Sequence, residues 1–560
     1  MENKIGIDVG GTFTDVVLIR GDEVMKKGKI PTRQEDLLNT ILNALDFIEL
    51  SGTPSIGHIT VSTTLVTNAI LQKKLPPVEL VLFPGSGMQL SSLHWPVSYR
   101  VLAGELDFRG REVRQANLKE WETLAKDLKQ SEAKSVAIVG KFSHRNLVFE
   151  EKLAAYLAKE VTGLSIALGS EWGQSNFYRR SLTTYLNLAC SGLLSNFASQ
   201  LQNAVKARGC NAPIRVLKAD GGVLPLEKVR PVESIYSGPA ASVLGALAQS
   251  DGQESYVVVD IGGTTTDIGL VLSGNPLMSS HGAKIGSFLT NVRSLAVRSI
   301  PVGGDSAVLM ENGEASLASY RLGQAYCIGG NHPTPTDAMR YLNLTDYGSM
   351  SRAEEGLALL LPENEREPQS IQQIAETIVH KMADQIGLAI EQLLMEWKAE
   401  PAYKVWEVLH HQSDFKFYIQ LSGGGAPGIA SALERRMNTK TILMDLSDVS
   451  NAIGAAMAKP TFSWTLNLDT SLSRYRIEET GEQGSWEGSK KPHKEVEEFL
   501  KNLALRQAQS MGIEAKTLQT EPFDYFPLVE NYHTVGQIIR GSMHVPPGVL
   551  RSVTGGLKDE

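Results

Sequence analysis

Cysteine is nearly missing from this sequence: three residues in 560, Cys190, Cys210 and Cys327, with no CxxC spacing among them. An odd, scattered set supports neither a disulfide framework nor a zinc site, and it fits a reducing compartment. A basic surplus is absent too, because 54 Lys+Arg stand against 62 Asp+Glu, a formal charge of −8 at pH 7. Without a broad positive field, nucleic acid is not an expected main partner, although small anions can still bind locally. No stretch reaches the roughly 18 apolar residues of a membrane span, and Asp8 arrives before any apolar run can develop at the N-terminus. The expectation is a cytoplasmic protein without a membrane partner. What remains is globular in composition, 42% hydrophobic and 21% charged, with a length that allows about three or four domains.

An internal repeat organises the chain. Residues 5–19 read IGIDVGGTFTDVVLI and residues 257–271 read VVVDIGGTTTDIGLV, identical at seven of fifteen positions. Each copy is a β-branched run, a Gly-Gly break, a hydroxyl-rich segment and a second β-branched run, the pattern of a hairpin. Two hairpins imply two similar half-domains. Adjacent glycines, Gly10-Gly11 and Gly262-Gly263, permit close backbone approach and φ > 0, so successive N–H groups can cradle phosphate oxygens. Thr12, Thr14, Thr264, Thr265 and Thr266 add hydroxyl donors. Asp8 and Asp260, ending the preceding strands, are placed to hold a divalent cation or to orient a nucleophile beside a phosphate.

A third glycine-rich element follows. Phe417–Leu421 reads as a strand, Ser422-Gly423-Gly424-Gly425-Ala426 as a turn and Pro427–Arg436 as a helix, a close-approach site suited to a nucleotide's sugar and base. The small residues of Ser237-Gly238-Pro239-Ala240-Ala241-Ser242 and of Ser450–Ala456 let two helices meet closely between the half-domains.

With these elements in this order, the sequence resembles the actin/sugar-kinase/heat-shock-70 ATPase superfamily, with phosphate loops at 5–19 and 257–271, an adenosine loop at 421–434 and connecting helices at 236–248 and 450–458. Within it, residues 1–460 resemble the hydantoinase A/5-oxoprolinase/acetone carboxylase family. The phrases that carry the likeness are GIDVGGTFTDVVL, Thr63-Thr64-Leu65-Val66-Thr67-Asn68-Ala69, Lys218-Ala219-Asp220-Gly221-Gly222, SGPAA and Pro333-Thr334-Pro335-Thr336-Asp337-Ala338. The chain departs from the family pattern at Val61-Ser62, where His-Gly is common, and at Pro301–Ser306, where a longer glycine run is common.

The resemblance implies an α/β fold of two actin-like (ribonuclease H-like) half-domains, an inserted α/β domain and a small C-terminal α+β appendage. The expected boundaries are 1–70 for the first part of half-domain I, 71–235 for the insert, 236–460 for half-domain II and 461–560 for the appendage. It further implies ATP with Mg²⁺ or Mn²⁺, metal held by Asp8, Asp260 and Asp267, adenosine by Gly423, Gly424 and Gly425, and a substrate side at Thr63, Thr64, Asn68, Gly303, Gly304, Asp305 and Asp337. The implied activity is ATP-dependent hydrolysis of a cyclic amide such as a hydantoin or 5-oxoproline, through phosphorylation of its carbonyl oxygen, with Asp260 assigned to metal and Asp8 to orientation. An oligomer and a B-type partner subunit are also implied. The alternatives are an ATP-dependent ketone carboxylase subunit and a non-enzymatic, ATP-driven reactivase.

Outside these motifs, Val78–Phe83 and Ser135–Val139 read as buried strands of the insert, with helices at 117–132 and 147–161. A long helix spans Tyr178–Val205, and the charged pair Arg179-Arg180 reads as its solvated start rather than as an anion site. Glu478–Lys494 reads as an exposed turn, Glu495–Met511 as an amphipathic helix and the aromatic stretch Pro522–Glu530 as packing. His281, His332 and His410-His411 lie near motifs, but no paired spacing marks a metal site, and His332 near Asp337 reads as a loop residue.

Overall fold

The computed structural model describes residues 2–50, 53, 55–250, 254–311, 313–399, 416–511, 513 and 518–553. His410, His411 and the tail from Thr554 fall outside the described residues. The first β-branched runs build β1 (Asn3–Val9), β2 (Phe13–Arg20) and β3 (Glu23–Pro31) as an antiparallel meander. β4 (Ile56–Thr63), β5 (Ile214–Leu217) and β6 (Val223–Pro225) complete a sheet of order β6-β5-β4-β1-β2-β3, in which β1, β4 and β5 are parallel. The second copy repeats the plan. β7 (Tyr256–Ile261), β8 (Thr266–Leu272) and β9 (Asn275–Pro276) form a meander, β10 (Val297–Ile300) adds to β8, and β11 (Tyr418–Ser422) and β12 (Thr441–Leu443) run parallel to β7, in the order β9-β8-β7-β11-β12. The hairpin registers match as well, with Asp8 opposite Asp15 and Asp260 opposite Asp267. Ile5, Ile7, Val257 and Val259 are fully buried, as expected of central strands covered on both faces.

Six helices matter for the site: α1 (Leu65–Leu71), α2 (Phe177–Ala207), α3 (Ser237–Ala248), α4 (Pro335–Tyr341), α5 (Ala426–Met437) and α6 (Ser450–Met457). α3 and α6 cross where Gly245 meets Ser450 and Gly454 meets Ala241, and a Cβ at either glycine would collide with a backbone carbonyl. α6 also lies on β1, where Gly6 faces Ala452 and Ala456.

Between β4 and β5 the chain makes a separate four-stranded parallel sheet, in the spatial order Ser165–Leu168, Ser135–Gly140, Glu79–Phe83 and Arg100–Val101. Helices Leu118–Gln130 and Val148–Glu160 cover it, and Val81, Trp121, Leu124, Phe149 and Leu153 fill its core. The expected insert 71–235 is too long at its end: Ile214, Val216 and Leu217 are buried and extend the parallel edge of β4, so β5 and β6 belong to the first sheet.

The C-terminal region is not an appendage with a core of its own. Phe462–Asp469 pairs with Arg474–Ile477 and His533–Val545, helix Lys494–Ser510 packs on that sheet, and Phe462, Trp464, Leu466 and Leu500 share one apolar cluster with Ile5, Ile7, Ile41 and Ile59. Glu478–Lys494 is likewise no simple exposed turn. It contains strand Gln483–Ser485, Trp486 is buried, and Glu479 accepts hydrogen bonds from the Thr465 N–H and hydroxyl. Arg180 departs from its expectation by being fully buried: its guanidinium donates to the carbonyls of Gly140, Lys141 and Gln174 and ties α2 to the inserted sheet. Arg179 donates to the Thr290 carbonyl.

Candidate functional site

The two Gly-Gly-Thr turns face each other. Each closes by the same bond, from Gly10 N–H to the Phe13 carbonyl and from Gly262 N–H to the Thr265 carbonyl, both at 3.0 Å. None of the four glycines has positive φ, contrary to the sequence expectation. They are required for proximity: a Cβ on Gly263 would stand 2.6 Å from Asp305 Oδ2 and 2.9 Å from Thr12 Oγ1, and one on Gly11 would stand 3.1 Å from Thr264 Oγ1. Gly423 does need the left-handed region, at φ +87, because its turn passes over Ile261 and Asp260.

Asp8 and Asp260, one from each sheet, meet through one side chain. Asn451 Nδ2, on α6, donates to Asp260 Oδ2 at 2.8 Å and to Asp8 Oδ2 at 3.3 Å, while Ser242 on α3 donates to Asp260 Oδ2 at 2.8 Å. The close helix crossing therefore serves the site, since it places Ser242 and Asn451 beside the strand-end carboxylates. Asp8 is 5% exposed, and burial pushes its carboxyl up to about 6, opposed by Ser62 and Asn451 and reinforced by the charge on Asp260. Asp8 Oδ1 is buried without a partner in the protein. Burial and the neighbouring Asp260 raise Asp267 to about 7, and its Oδ1 is also unpartnered. Beside Asp8 in register stands Ser62, and beside Asp260 stands Ser422, a second element common to both halves.

The loop before α4 lies on the second turn: Gly304 N–H and Asp305 N–H donate to the carbonyls of Gly262 and Gly263. Arg321 reaches across the cleft, donating to Thr12 Oγ1 at 2.9 Å while lying 3.7 Å from Asp305 Oδ2. On the other side, Gln34 donates to the carbonyls of Gly10 and Gly11 and accepts from Asn68 Nδ2, which also donates to Thr64 Oγ1. Gly303, Gly304, Asp305, Thr64 and Asn68 thus border the paired turns.

Other expected residues do not. Thr14 and Thr266 point into the core, fully buried, with hydroxyls bonded to Thr32 Oγ1 and to the Val302 carbonyl, so neither is available to a phosphate. Thr63 is 1% exposed, its backbone bonded to Ser237 and its hydroxyl accepting from Leu65 N–H. Asp337 is fully buried in the capping box of α4, whose N-cap is Thr334; it accepts from Thr334, Tyr326 and Cys327 and is closed to a substrate. Asp8, Asp260 and Asp267 do not form a three-carboxylate metal cage, and among the described residues no three His, Cys, Asp or Glu side chains converge for one. Exposed His332 joins no such group.

The model of the hydantoinase/oxoprolinase family matches residues 180–463, half of the chain, and that of the family's N-terminal region matches residues 4–161. The chain belongs to the hydantoinase/oxoprolinase family. Among relatives of this family member, the acetophenone carboxylase gamma subunit of Aromatoleum aromaticum is 25% identical over 62% of this chain and 54% of its own length. The caprolactamase subunit alpha of Pseudomonas jessenii is 24% identical over 69% and 59%. The chain thus spans a little over half the length of these two curated relatives. The fold agrees with two solved structures: a nucleotide-free acetone carboxylase at TM-score 0.72 and 15% identity, over 98% of this chain and 88% of that one, and the ATP-dependent caprolactamase of Pseudomonas jessenii at 0.67 and 18%, over 96% and 87%.

Sequence reading missed four residues of this family member's site: Asn451, Ser242, Gln34 and Arg321. Asn451 carries the one side-chain amide in the run SNAIGAA, which is a visible cue. Gln34 and Arg321 sit in segments without motif spacing and are placed only by the folded chain.

Proposed function

We propose that the two sheets are the halves of an actin-like ATPase, that ATP binds in the cleft between the Gly10–Thr12 and Gly262–Thr265 turns, and that its γ-phosphoryl group activates a small cyclic amide or ketone. The observation that carries this reading is the pair Asp8 and Asp260, brought together from the two repeats by Asn451 at facing glycine turns. The named relatives, an ATP-dependent caprolactamase and two ketone carboxylases, support the substrate class. The half-domains then correspond to residues 1–70 with β5 and β6, and to residues 236–460, with Gly423, Gly424 and Gly425 beside the adenosine.

Backbone N–H groups of the two turns, with Thr12, Thr264 and Thr265, bind the phosphates, and Arg321 supplies positive charge where the transferring group passes. The donors fit Mg²⁺, or Mn²⁺ in its place: the unpartnered Asp8 Oδ1 and the carboxylate of Asp260 are hard oxygen ligands, and two carboxylates plus phosphate oxygens are a usual Mg²⁺ set. When bound, the ion neutralises charge on the phosphate oxygens. Asp8 orients the acceptor oxygen. That oxygen bonds to the γ-phosphorus as the bridging P–O bond breaks and ADP leaves, and the carbonyl carbon becomes open to attack. Thr64, Asn68 and Gly303–Asp305 border the acceptor's side. A B-type subunit and an oligomeric enzyme belong to the same reading, and hydrolysis of a lactam is preferred over ketone carboxylation for the chain acting with its partner.

The test is ADP release by the purified chain, alone and with a B-type subunit, in the presence of hydantoin, 5-oxoproline, caprolactam, acetone or acetophenone. Stimulation by a lactam or ketone supports the reading. ADP release stimulated only by a protein client would replace it with an ATP-driven reactivase.

A further inference from the structure

Strand register lines up the same side chains in both halves. In the first sheet Ser62 of β4, Asp8 of β1, Asp15 of β2 and Lys29 of β3 stand side by side. In the second, Ser422 of β11, Asp260 of β7, Asp267 of β8 and Ser299 of β10 do the same. Residues paired directly across neighbouring strands present their side chains on one face, so each row is a continuous strip. Three of the four positions agree between the copies. At the fourth, a lysine in the first half stands where the second half has a serine. Ser299 brings no charge to Asp267, whose Oδ1 stays unpartnered, whereas Lys29 gives the first row a cation.

The surroundings of Lys29 place that cation between the halves. Lys27, two residues earlier and on the same face of β3, pairs at 3.0 Å with Asp448, in the short turn that leads into α6, so this face of the strand looks across at the second half. Lys29 is the nearer of the two to the first glycine turn, whose Thr12 carbonyl accepts from Thr32 N–H just past β3. Its Nζ donates to Asp15 Oδ1 at 2.7 Å and lies 5.5 Å from the centre of the Phe13 ring. Burial pulls the ammonium down, but Asp15, with Asp260 and Asp448 of the second half, more than offsets that and keeps it above its ordinary value. An ammonium carries three donors. One goes to Asp15, and the side chain is 34% exposed, which leaves the others open.

The difference between the rows gives the cleft a direction. Gly423, assigned above to the adenosine side, passes over Ile261 and Asp260 and so belongs to the second half. A nucleotide lying that way points the far end of its phosphate chain at the first half, where the extra cation stands. The extra charge of a triphosphate over a diphosphate sits at that far end. Lysine suits such a place, as a point charge whose donors turn freely towards phosphate oxygens. Asp15 anchors the ammonium beforehand, which lowers the entropy lost in ordering a long side chain on the ligand.

We propose that Lys29 binds the terminal phosphate of ATP through the donors that Asp15 leaves free, and that this one side chain distinguishes ATP from ADP. The proposal rests on the nucleotide reading of the cleft and goes beyond it by naming the end at which the terminal phosphate lies.

Isothermal titration with two magnesium nucleotides tests it: ADP, and the β,γ-imido analogue of ATP, which resists hydrolysis. Lys29→Met should weaken the analogue roughly 10- to 150-fold, the size of one hydrogen bond to a charged group, and leave ADP within about twofold. Lys29→Arg keeps the charge and should restore most of the preference for the analogue. Asp15→Asn separates this role from that of a structural ion pair, because the preference should survive when Lys29 loses only its anchor. Equal losses of both nucleotides, or an unchanged ratio of affinities, in a Lys29→Met protein that still unfolds cooperatively would overturn the proposal and leave the reading of the cleft in place. If the unsubstituted protein bound neither nucleotide, both would be overturned.

Discussion

Asn451 is the smallest part of the molecule on which the site depends, because one amide serves two buried carboxylates that repel each other. Its hydrogen bond lowers the Asp8 carboxyl against the larger effect of burial. Asn451→Ala removes that donor, so the acid limb of ATP turnover should move to higher pH and turnover should fall roughly 10- to 150-fold, in line with about 1.5–3 kcal/mol for a hydrogen bond to a charged group. A pH–rate profile checks both. An unmoved acid limb would dissociate Asn451 from the ionisation of Asp8. Asp305 makes a separate pH prediction. Burial holds it up at about 6, with Arg321 opposing, above its ordinary value of 3.8. A carboxyl raised in the folded state binds more protons there than in the unfolded chain, so its contribution is fully present below about pH 4 and is lost as pH rises through 6. Asp305→Asn should remove that slope, worth about 1–3 kcal/mol between pH 4 and 7, in denaturant titrations at fixed pH.

At the scale of elements, the α3–α6 crossing couples fold to site. Gly454→Leu drives a side chain into the Ala241 carbonyl and should lower stability by about 2–3 kcal/mol, read as a shifted urea midpoint. Gly192, in open space on α2, is the control: Gly192→Ala should be neutral or stabilising by about 0.5–1 kcal/mol. These elements were largely legible, because a β-branched run, paired glycines and a second such run leave few local alternatives, and the small-residue helices followed from the segments Ser237–Ser242 and Ser450–Ala456. Thr14 and Thr266 were not, because a strand residue's face depends on which side of the sheet becomes core. Asp337 misled for a similar reason: Thr-x-x-Asp is a capping box as well as a family phrase, and the fold uses it as the cap.

For the whole molecule, the surprise is the C-terminal region. Its strand Phe462–Asp469 and helix Lys494–Ser510 share a core with the first sheet, a long-range relation that composition cannot reveal. Cutting the chain after residue 460 should therefore strip the apolar cover from the first half and leave a protein that fails to unfold cooperatively. A folded 1–460 fragment would restore the appendage view. The first and second sheets remain two copies of one plan, and the account stands on their turns closing over one nucleotide. Calorimetric titration of Mg-ATP into the intact chain and into Gly263→Val addresses that claim most directly, because the added side chain occupies the space between Thr12 and Asp305 where the turns face. The account predicts one-to-one binding to the first and at least a hundredfold weaker binding to the second, which still unfolds cooperatively at a lower melting temperature. Equal affinity in the two proteins would contradict it.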